Sequence, residues 1–139
     1  YIDFDYLEQK FDEMKAHQLG FESSGGMHAA GLISLKTDTL HVNEDIGRHN
    51  AVDKVIGNAL INNIDFSNTF LLLSGRCGWD IVAKASRLGI RNIVSIGACS
   101  SMAAETARIL GIRVISFFRD KNAVIIGYNS STKTASIET

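Results

Sequence analysis

Apolar residues recur every three or four positions in four segments of the chain, as in helices that bury one face. In the first segment these residues stand among charged neighbours, at Phe4, Leu7, Phe11 and Met14. The spacing predicts helices over residues 4–18 (an N-terminal helical segment, 1–20), 47–60, 78–88 and 101–110. Gly89 and Gly111 directly follow the last two, where a left-handed residue commonly ends a helix.

Short apolar runs between these helices predict strands. They cover residues 27–36, 39–42, 69–73, 92–96, 113–118 and 123–128. Thr37 and Asp38 form a short turn, which indicates that the first two strands are antiparallel. From residue 69 onward strands and helices alternate, as is typical of an α/β sheet with parallel strands. We expect one domain over residues 1–139, with a frayed Ser/Thr-rich tail over 129–139.

Composition narrows the classes of function. The chain has 139 residues, is 45% hydrophobic and carries a formal net charge of −1. There is no basic field for nucleic acid, no apolar run long enough for a membrane span and no signal-peptide pattern. These features favour a soluble, cytoplasmic protein. The sequence begins at Tyr1 rather than at a methionine, so it is expected to be part of a longer protein.

Polar and small residues concentrate at three strand-to-helix junctions, over residues 44–53, 74–78 and 97–101. In an open α/β sheet, ligands bind beyond the carboxyl ends of the strands, where helix N-termini gather. Free backbone N–H groups, helix dipoles and an arginine at two of the junctions suit a phosphate or pyrophosphate. The sequence therefore predicts a nucleotide-like anion as ligand.

Single residues of these junctions also have simpler explanations. Asp45 could cap the following helix, and His49 and Asp53 could form a surface pair one helical turn apart. Arg48, Asn50 and Lys54 add further polar groups within two turns, more than one cap needs.

Two smaller features each have two possible interpretations. Gly25 and Gly26 before His28 could be a ligand-approaching loop or an ordinary turn followed by a histidine. Cys77 and Cys99 each precede a predicted helix, which can lower a thiol pKa, but such cysteines are often only small buried residues.

Several motifs are absent from the sequence. It contains no G-x-x-x-x-G-K-[ST], no G-x-G-x-x-G and no H-E-x-x-H. The H-x-E and P-C-x-x-C pair of zinc deaminases is missing too. We therefore expect no catalytic zinc.

The string GRHNAVDK at residues 47–54, preceded by Glu44-Asp45, resembles the signature of the formate dehydrogenase accessory sulfurtransferase family, FdhD/NarQ. The stretch FESSGGMHAA at residues 21–30 is similar to that family's F-x-x-[TS]-G-G-x-H-x-A. Ser74-Gly75-Arg76, with Lys84 in the helix that follows, looks like its S-G-R segment, and residues 98–107 resemble its A-P-[TS]-x-x-A helix. The resemblance runs from Phe21 to about Tyr128.

The resemblance implies a three-layer α/β sandwich with a mixed sheet, similar to cytidine deaminase but without zinc, and a homodimer. It implies sulfur transfer from a cysteine desulfurase to the bis-guanine-dinucleotide form of the molybdenum cofactor, for the catalytic subunit of formate dehydrogenase, with GDP as a mimic of that cofactor. Carried over by position, the cofactor-binding residues are Gly25, Gly26, His28, Asp45, Arg48, His49, Asn50, Asp53, Lys54, Ser74, Gly75, Arg76 and Ser100.

The chain departs from the family pattern in two respects. The family's sulfur-carrying C-x-x-C lies upstream of the glycine pair, and this sequence contains no such motif. Cys99 stands where the family usually has proline, and Gly78 and Asp80 stand where it usually has serine and glutamate. We therefore expect no catalytic residue in this chain, apart from Cys99 and Cys77 as remote candidates. Two hypotheses follow, a sulfurtransferase accessory domain and a non-catalytic guanine-nucleotide or cofactor-binding assembly module.

Overall fold

A single mixed sheet of seven strands organises the part of the chain that the computed structural model describes, residues 2–17, 27–120, 122–127 and 133–136. The helices are α1 (Phe4–His17), α2 (Arg48–Ile61), α3 (Trp79–Leu88) and α4 (Ser101–Leu110), with a short 3-10 turn at Phe66–Asn68. The strands are β1 (His28–Ser34), β2 (Thr39–Asp45), β3 (Thr69–Leu73), β4 (Asn92–Ser95), β5 (Arg113–Arg119), β6 (Asn122–Ile126) and β7 (Lys133–Ser136).

The strand order is β2-β1-β3-β4-β5-β6-β7. The sequence-based expectation of parallel strands holds only for β3, β4 and β5, whose connections contain α3 and α4. The other neighbouring pairs are antiparallel, including the predicted β1–β2 hairpin. The short connections from β1 to β2 and from β5 to β6 cannot carry the chain back to the starting end of a strand, so these neighbours run in opposite directions.

Helices cover both faces of the sheet and make three layers. Of the described helices, only α1 packs on one face, where Leu7 and Met14 are each 1% exposed against Ile33 and Leu72 of the sheet. On the other face α2, α3 and α4 enclose a larger core that includes Val55. The three-layer arrangement and the mixed sheet that the family resemblance implied are therefore present.

The predicted ends of α3 and α4 agree with the structure. Gly89 and Gly111 end α3 and α4 with φ of 87° and 73°, so the prediction of left-handed glycine caps is confirmed. By contrast, β2 continues to Asp45, beyond its predicted end at residue 42, because Asp45 pairs with His28 across the hairpin. Strand β7 lies within the segment 129–139 predicted as a tail, and the rest of that segment is outside the described residues.

Polar contacts also attach α1 to the β1–β2 turn. The Tyr6 hydroxyl donates to Asp38 Oδ1 at 2.6 Å, and Lys10 Nζ lies 3.2 Å from the same oxygen and 3.3 Å from Glu13 Oε2. Lys10 is only 5% exposed, and these two carboxylates balance its buried charge. None of the described helices is long and apolar enough to span a bilayer.

Candidate anion-binding site

All three predicted strand-to-helix junctions lie at one edge of the sheet. The parallel strands β3, β4 and β5 end at this edge, which we call the carboxyl edge. Because β1 runs antiparallel to β3, it begins there, and β2 ends beside it with Asp45 opposite His28. The prediction that the junctions before α2, α3 and α4 come together at one place is therefore confirmed.

Two of the junction loops run side by side. Gly97 N donates to Gly75 O at 3.0 Å, Cys77 N donates to Ala98 O at 2.9 Å, and Ser100 N donates to Cys77 O at 3.1 Å. A Cβ atom at Gly97 would lie 3.0 Å from the carbonyl carbon and oxygen of Gly75. The close approach of these two loops therefore requires glycine at position 97.

A cavity of about 200 Å³ opens where the three junctions meet. Its lining residues are Arg48, Arg76, Cys77, Gly78, Ala98 and Ser100, and we call it the arginine pocket. Two guanidinium groups and no carboxylate line it, which suits an anion. Arg48 Nε is buried and has no hydrogen-bond partner, although a buried donor is usually paired. A bound anion would supply that acceptor.

Helix N-termini add to this positive character. Helices α2 and α3 begin after Gly47 and Gly78, which have no side chain to cap them, and in α3 Asp80 Oδ1 accepts a hydrogen bond from Ile81 N at 3.1 Å. Such ends present backbone N–H groups and the positive end of the helix dipole. Helix α4 differs, because Ser100 Oγ accepts a hydrogen bond from Ala103 N at 3.0 Å. The candidate Ser100 thus caps α4 and lines the arginine pocket.

His49 and Asp53 each pair with α3 rather than with each other. His49 Nε2 lies 2.5 Å from Asp80 Oδ2, and Lys84 Nζ contacts Asp53 Oδ1. The alternative of a His49–Asp53 surface pair is therefore wrong, because Asp80 and Lys84 of α3 are the partners of these two side chains. His49, Asp80 and Lys84 line a neighbouring cavity of about 100 Å³. Among the described residues, no three His, Cys, Asp or Glu side chains are grouped to hold a metal ion.

Asp45, Asn50 and Lys54 form a separate cluster that holds the β2–α2 turn. Asp45 accepts hydrogen bonds from Gly47 N at 3.0 Å and Asn50 Nδ2 at 3.4 Å, and it lies 2.8 Å from Lys54 Nζ. The hydrogen bond from Lys54, followed by that from Gly47, lowers the pKa of Asp45 to about 2. Asp45 thus bonds to the backbone N–H of the N-cap residue and not to a backbone N–H of the first helical turn, so it orders the turn without capping the helix in the usual sense.

The remaining candidates lie where β1 meets β3. Ser74 Oγ accepts a hydrogen bond from Ala29 N at 2.9 Å, and a Cβ atom at Gly75 would lie 3.3 Å from His28 Nδ1. Gly25 and Gly26 fall outside the described residues. The structure therefore brings Arg48, Arg76 and Ser100 to one pocket, with His28 and Gly75 beside its loops.

A larger cavity of about 440 Å³ lies at the same edge on the α1 side. Of the sequence candidates it includes only Ser74, and its walls mix both signs of charge, from Glu8, Asp12, Asp120, Lys15 and Arg119. A polyanion would meet three carboxylates there. Charge therefore favours the smaller arginine pocket as the anion site, despite the difference in volume.

Sequence reasoning did not find all the residues at this edge. Arg87 lines the cavity beside His49, together with Asp80, which in the sequence stands out only as a departure from the family pattern. The spacing of these two residues with Lys84 places all three on one face of α3 and was the available signal. Phe117 is 54% exposed with φ of 54°, and its N–H donates to Gly97 O at 3.1 Å. It lies in a bulge of β5 between Ser116 and Arg119, for which the sequence offers no recognisable signal.

Fold and pocket together define an α/β sandwich with a candidate anion site at the carboxyl edge of its sheet. The chain matches the FdhD/NarQ family over residues 2–133 and belongs to that family. It is 40% identical over 123 residues to the sulfur carrier protein FdhD of Burkholderia mallei, covering 88% of this chain and 45% of that protein. With the sulfur carrier protein FdhD of Thermoplasma volcanium the identity is 49% over 106 residues, covering 76% and 38%.

A solved structure agrees with this assignment. The crystal structure of a formate dehydrogenase accessory protein from Desulfotalea psychrophila is similar, with a TM-score of 0.79 and 29% identity. The similarity covers 90% of this chain and 56% of that one. The chain spans less than half the length of these curated relatives.

Proposed function

We propose that this chain is the cofactor-binding part of a cytoplasmic sulfur carrier protein. Its ligand is the molybdenum cofactor in its bis-guanine-dinucleotide form. The full-length protein acts as a sulfurtransferase that takes sulfur from a cysteine desulfurase and passes it to this cofactor for the catalytic subunit of formate dehydrogenase. The observation that carries the proposal is the arginine pocket, which unites three junctions in a family whose relatives are named sulfur carrier proteins.

The size and chemistry of the pocket fit the phosphate portion of such a ligand. Its volume of about 200 Å³ is below the roughly 300–1,000 Å³ of most small-molecule sites, so it takes a diphosphate rather than a whole dinucleotide. Arg48 and Arg76 supply charged donors, and the uncapped starts of α2 and α3 supply backbone N–H groups. The chain's own residues thus hold and orient the cargo.

Sulfur chemistry is assigned to another part of the protein. In this proposal the persulfide forms on the C-x-x-C that the family carries upstream of its glycine pair. The proposal also includes a homodimer and a cytidine deaminase-like arrangement of the sandwich without zinc. Sedimentation of the full-length protein tests the dimer, and metal analysis tests the absence of zinc.

Calorimetric titration with GDP tests the binding proposal. Arg48→Ala removes a charge-assisted contact worth about 1.5–3 kcal/mol, so the affinity for GDP should fall by about 10- to 150-fold. Arg91→Ala is the matched control, because exposed Arg91 precedes β4 at the opposite edge of the sheet. Absence of binding to both GDP and the whole cofactor, or equal weakening by the two variants, would contradict the proposal.

A non-catalytic guanine-nucleotide or cofactor-binding assembly module is the second candidate. It is supported by the arginine pocket alone, since the residues that line this pocket account for binding without a sulfur step. Both candidates predict GDP binding, so the sulfur step must separate them. Mass spectrometry of the full-length protein, after incubation with a desulfurase and cysteine, should show one added sulfur atom on a cysteine only for the sulfurtransferase.

A further inference from the structure

The chain's two cysteines, 22 positions apart in sequence, meet between the loops that precede α3 and α4. We propose that Cys77 and Cys99 form a reversible thiol/disulfide site, in which Cys99 attacks a small-molecule disulfide and Cys77 then closes the protein disulfide. The proposal does not depend on the function proposed above.

Backbone pairing brings the two residues directly opposite each other. Cys77 N donates to Ala98 O at 2.9 Å, and Ser100 N donates to Cys77 O at 3.1 Å, which is a parallel bridge between Cys77 and Cys99. Adjacent strands lie about 4.8 Å apart, and disulfides join Cα atoms about 4.4–6.8 Å apart. Directly opposed residues of a parallel pair also project to the same side. The backbone spacing of the two residues therefore falls within the range that a disulfide spans.

The two thiols differ in access and in acidity. Cys77 is 1% exposed, whereas Cys99 is only partly buried and directly precedes the N-cap of α4. Hydrogen bonding from Cys77 and the charge of Arg108 lower the pKa of Cys99, although burial acts in the opposite direction. Hydrogen bonding to Cys99, together with burial, raises the pKa of Cys77. Cys99 is thus the thiolate that reacts first, and Cys77 is a protected resolving thiol.

The reaction balances with a low-molecular-weight disulfide, RSSR, as oxidant. The Cys99 thiolate attacks one sulfur, the S–S bond of RSSR breaks, and RS⁻ leaves to take up a proton from solvent. Cys77 then loses its proton and attacks Cys99 Sγ, so the mixed disulfide breaks and the second RS⁻ leaves with that proton. The protein dithiol is oxidised by two electrons, and RSSR is reduced to two RSH.

The cysteine pair lies at the arginine pocket. Cys77 is itself part of the wall of the arginine pocket, between Arg76 and Gly78. A disulfide would tie the β3–α3 loop to the β4–α4 loop at this wall. The disulfide, when it forms, would therefore lie beside the guanidinium groups that line the pocket.

Incubation of the chain with bis(2-hydroxyethyl) disulfide, followed by acid quenching and intact mass measurement, tests the proposal. The wild-type protein should lose two hydrogens and retain no adduct. Cys77→Ala should retain one adduct on Cys99, and Cys99→Ala should react at least about tenfold more slowly than Cys77→Ala because Cys77 is enclosed.

Unfolding in urea provides the matched control. There the two single variants should react at similar rates, because burial and the bridge are gone. A stable adduct on the folded wild type, no reaction at Cys99, or equal rates in the two folded variants would overturn the proposal. Circular dichroism of each variant establishes that it is folded, and Cys77→Ser serves in place of Cys77→Ala if the alanine variant is not.

Discussion

Replacing Gly97 with alanine would place a methyl group against the backbone of the neighbouring loop. The new Cβ would lie 3.0 Å from Gly75 C and O and 3.1 Å from Arg76 N, closer than the roughly 3.5–4.0 Å at which carbon contacts are favourable. The loops cannot simply separate, because Gly97 N bonds to Gly75 O and Phe117 N bonds to Gly97 O. We therefore expect strain at the wall of the arginine pocket.

The magnitude follows from two opposing terms. Overpacking costs about 1–3 kcal/mol, and loss of glycine's freedom in the unfolded chain returns about 0.4–1 kcal/mol. With middle values, Gly97→Ala should lower the free energy of unfolding by about 1.3 kcal/mol. Gly57→Ala is the matched control, because Gly57 lies inside α2 with nothing within 4 Å of its Cβ position. That change should raise the free energy of unfolding by about 0.5–1 kcal/mol.

Urea denaturation followed by far-ultraviolet circular dichroism measures both variants against the wild type, with the slope of the transition as a check on two-state unfolding. The two variants should differ by about 2 kcal/mol, and only Gly97→Ala should weaken GDP binding. If Gly97→Ala is at least as stable as the wild type while Gly57→Ala shows its expected gain, the close contact between the two loops is refuted.

Two further predictions concern packing and acid stability. Leu7→Ala should lower the free energy of unfolding in urea by about 2–5 kcal/mol, because Leu7 lies on the sheet-facing side of α1 and is 1% exposed. Ile61 is 79% exposed, so Ile61→Ala should change the same free energy by no more than about 0.5 kcal/mol. Similar values for both would contradict the packing of α1 on the sheet. For Asp45, whose pKa falls from 3.8 to about 2, the stabilisation is fully present above pH 4 and is lost as the pH falls through about 2. The stability gap between the wild type and Asp45→Asn should close across that range in pH-dependent urea unfolding, and a gap unchanged at pH 2 would count against the pairing.

Local signals made the helices and their ends readable from the sequence. Helices α3 and α4 bury one apolar stripe and end at a glycine, and both features act within a few residues of each other. The end of β2 is different, because residues 43–45 are polar and become a strand only through pairing with β1. The antiparallel outer strands likewise depend on partners distant in sequence.

Part of the candidate site could likewise be predicted from the sequence, and part depends on contacts between residues distant in sequence. The meeting of the three junctions at one edge follows from strand direction, a general property of α/β sheets. Which side chains face the pocket depends on pairings that spacing cannot show. Lys54 turns to Asp45 and His49 turns to Asp80, so neither lines the pocket with Arg48 and Arg76. Phe117 lies at this edge because of a bulge in β5 that no sequence pattern predicts.

The two faces of the sheet differ in how the described helices cover them, since α2, α3 and α4 share one face and α1 lies on the other. Detachment of α1 would uncover Ile33 and Leu72 while leaving the backbone ladder of the sheet intact. We therefore expect α1 to open as a separate cooperative unit, so that its amides exchange with solvent hydrogen through a partial opening, whereas those of β3 and β4 exchange only on global unfolding. Slow and fast exchange would then divide the molecule by layer rather than by position along the chain.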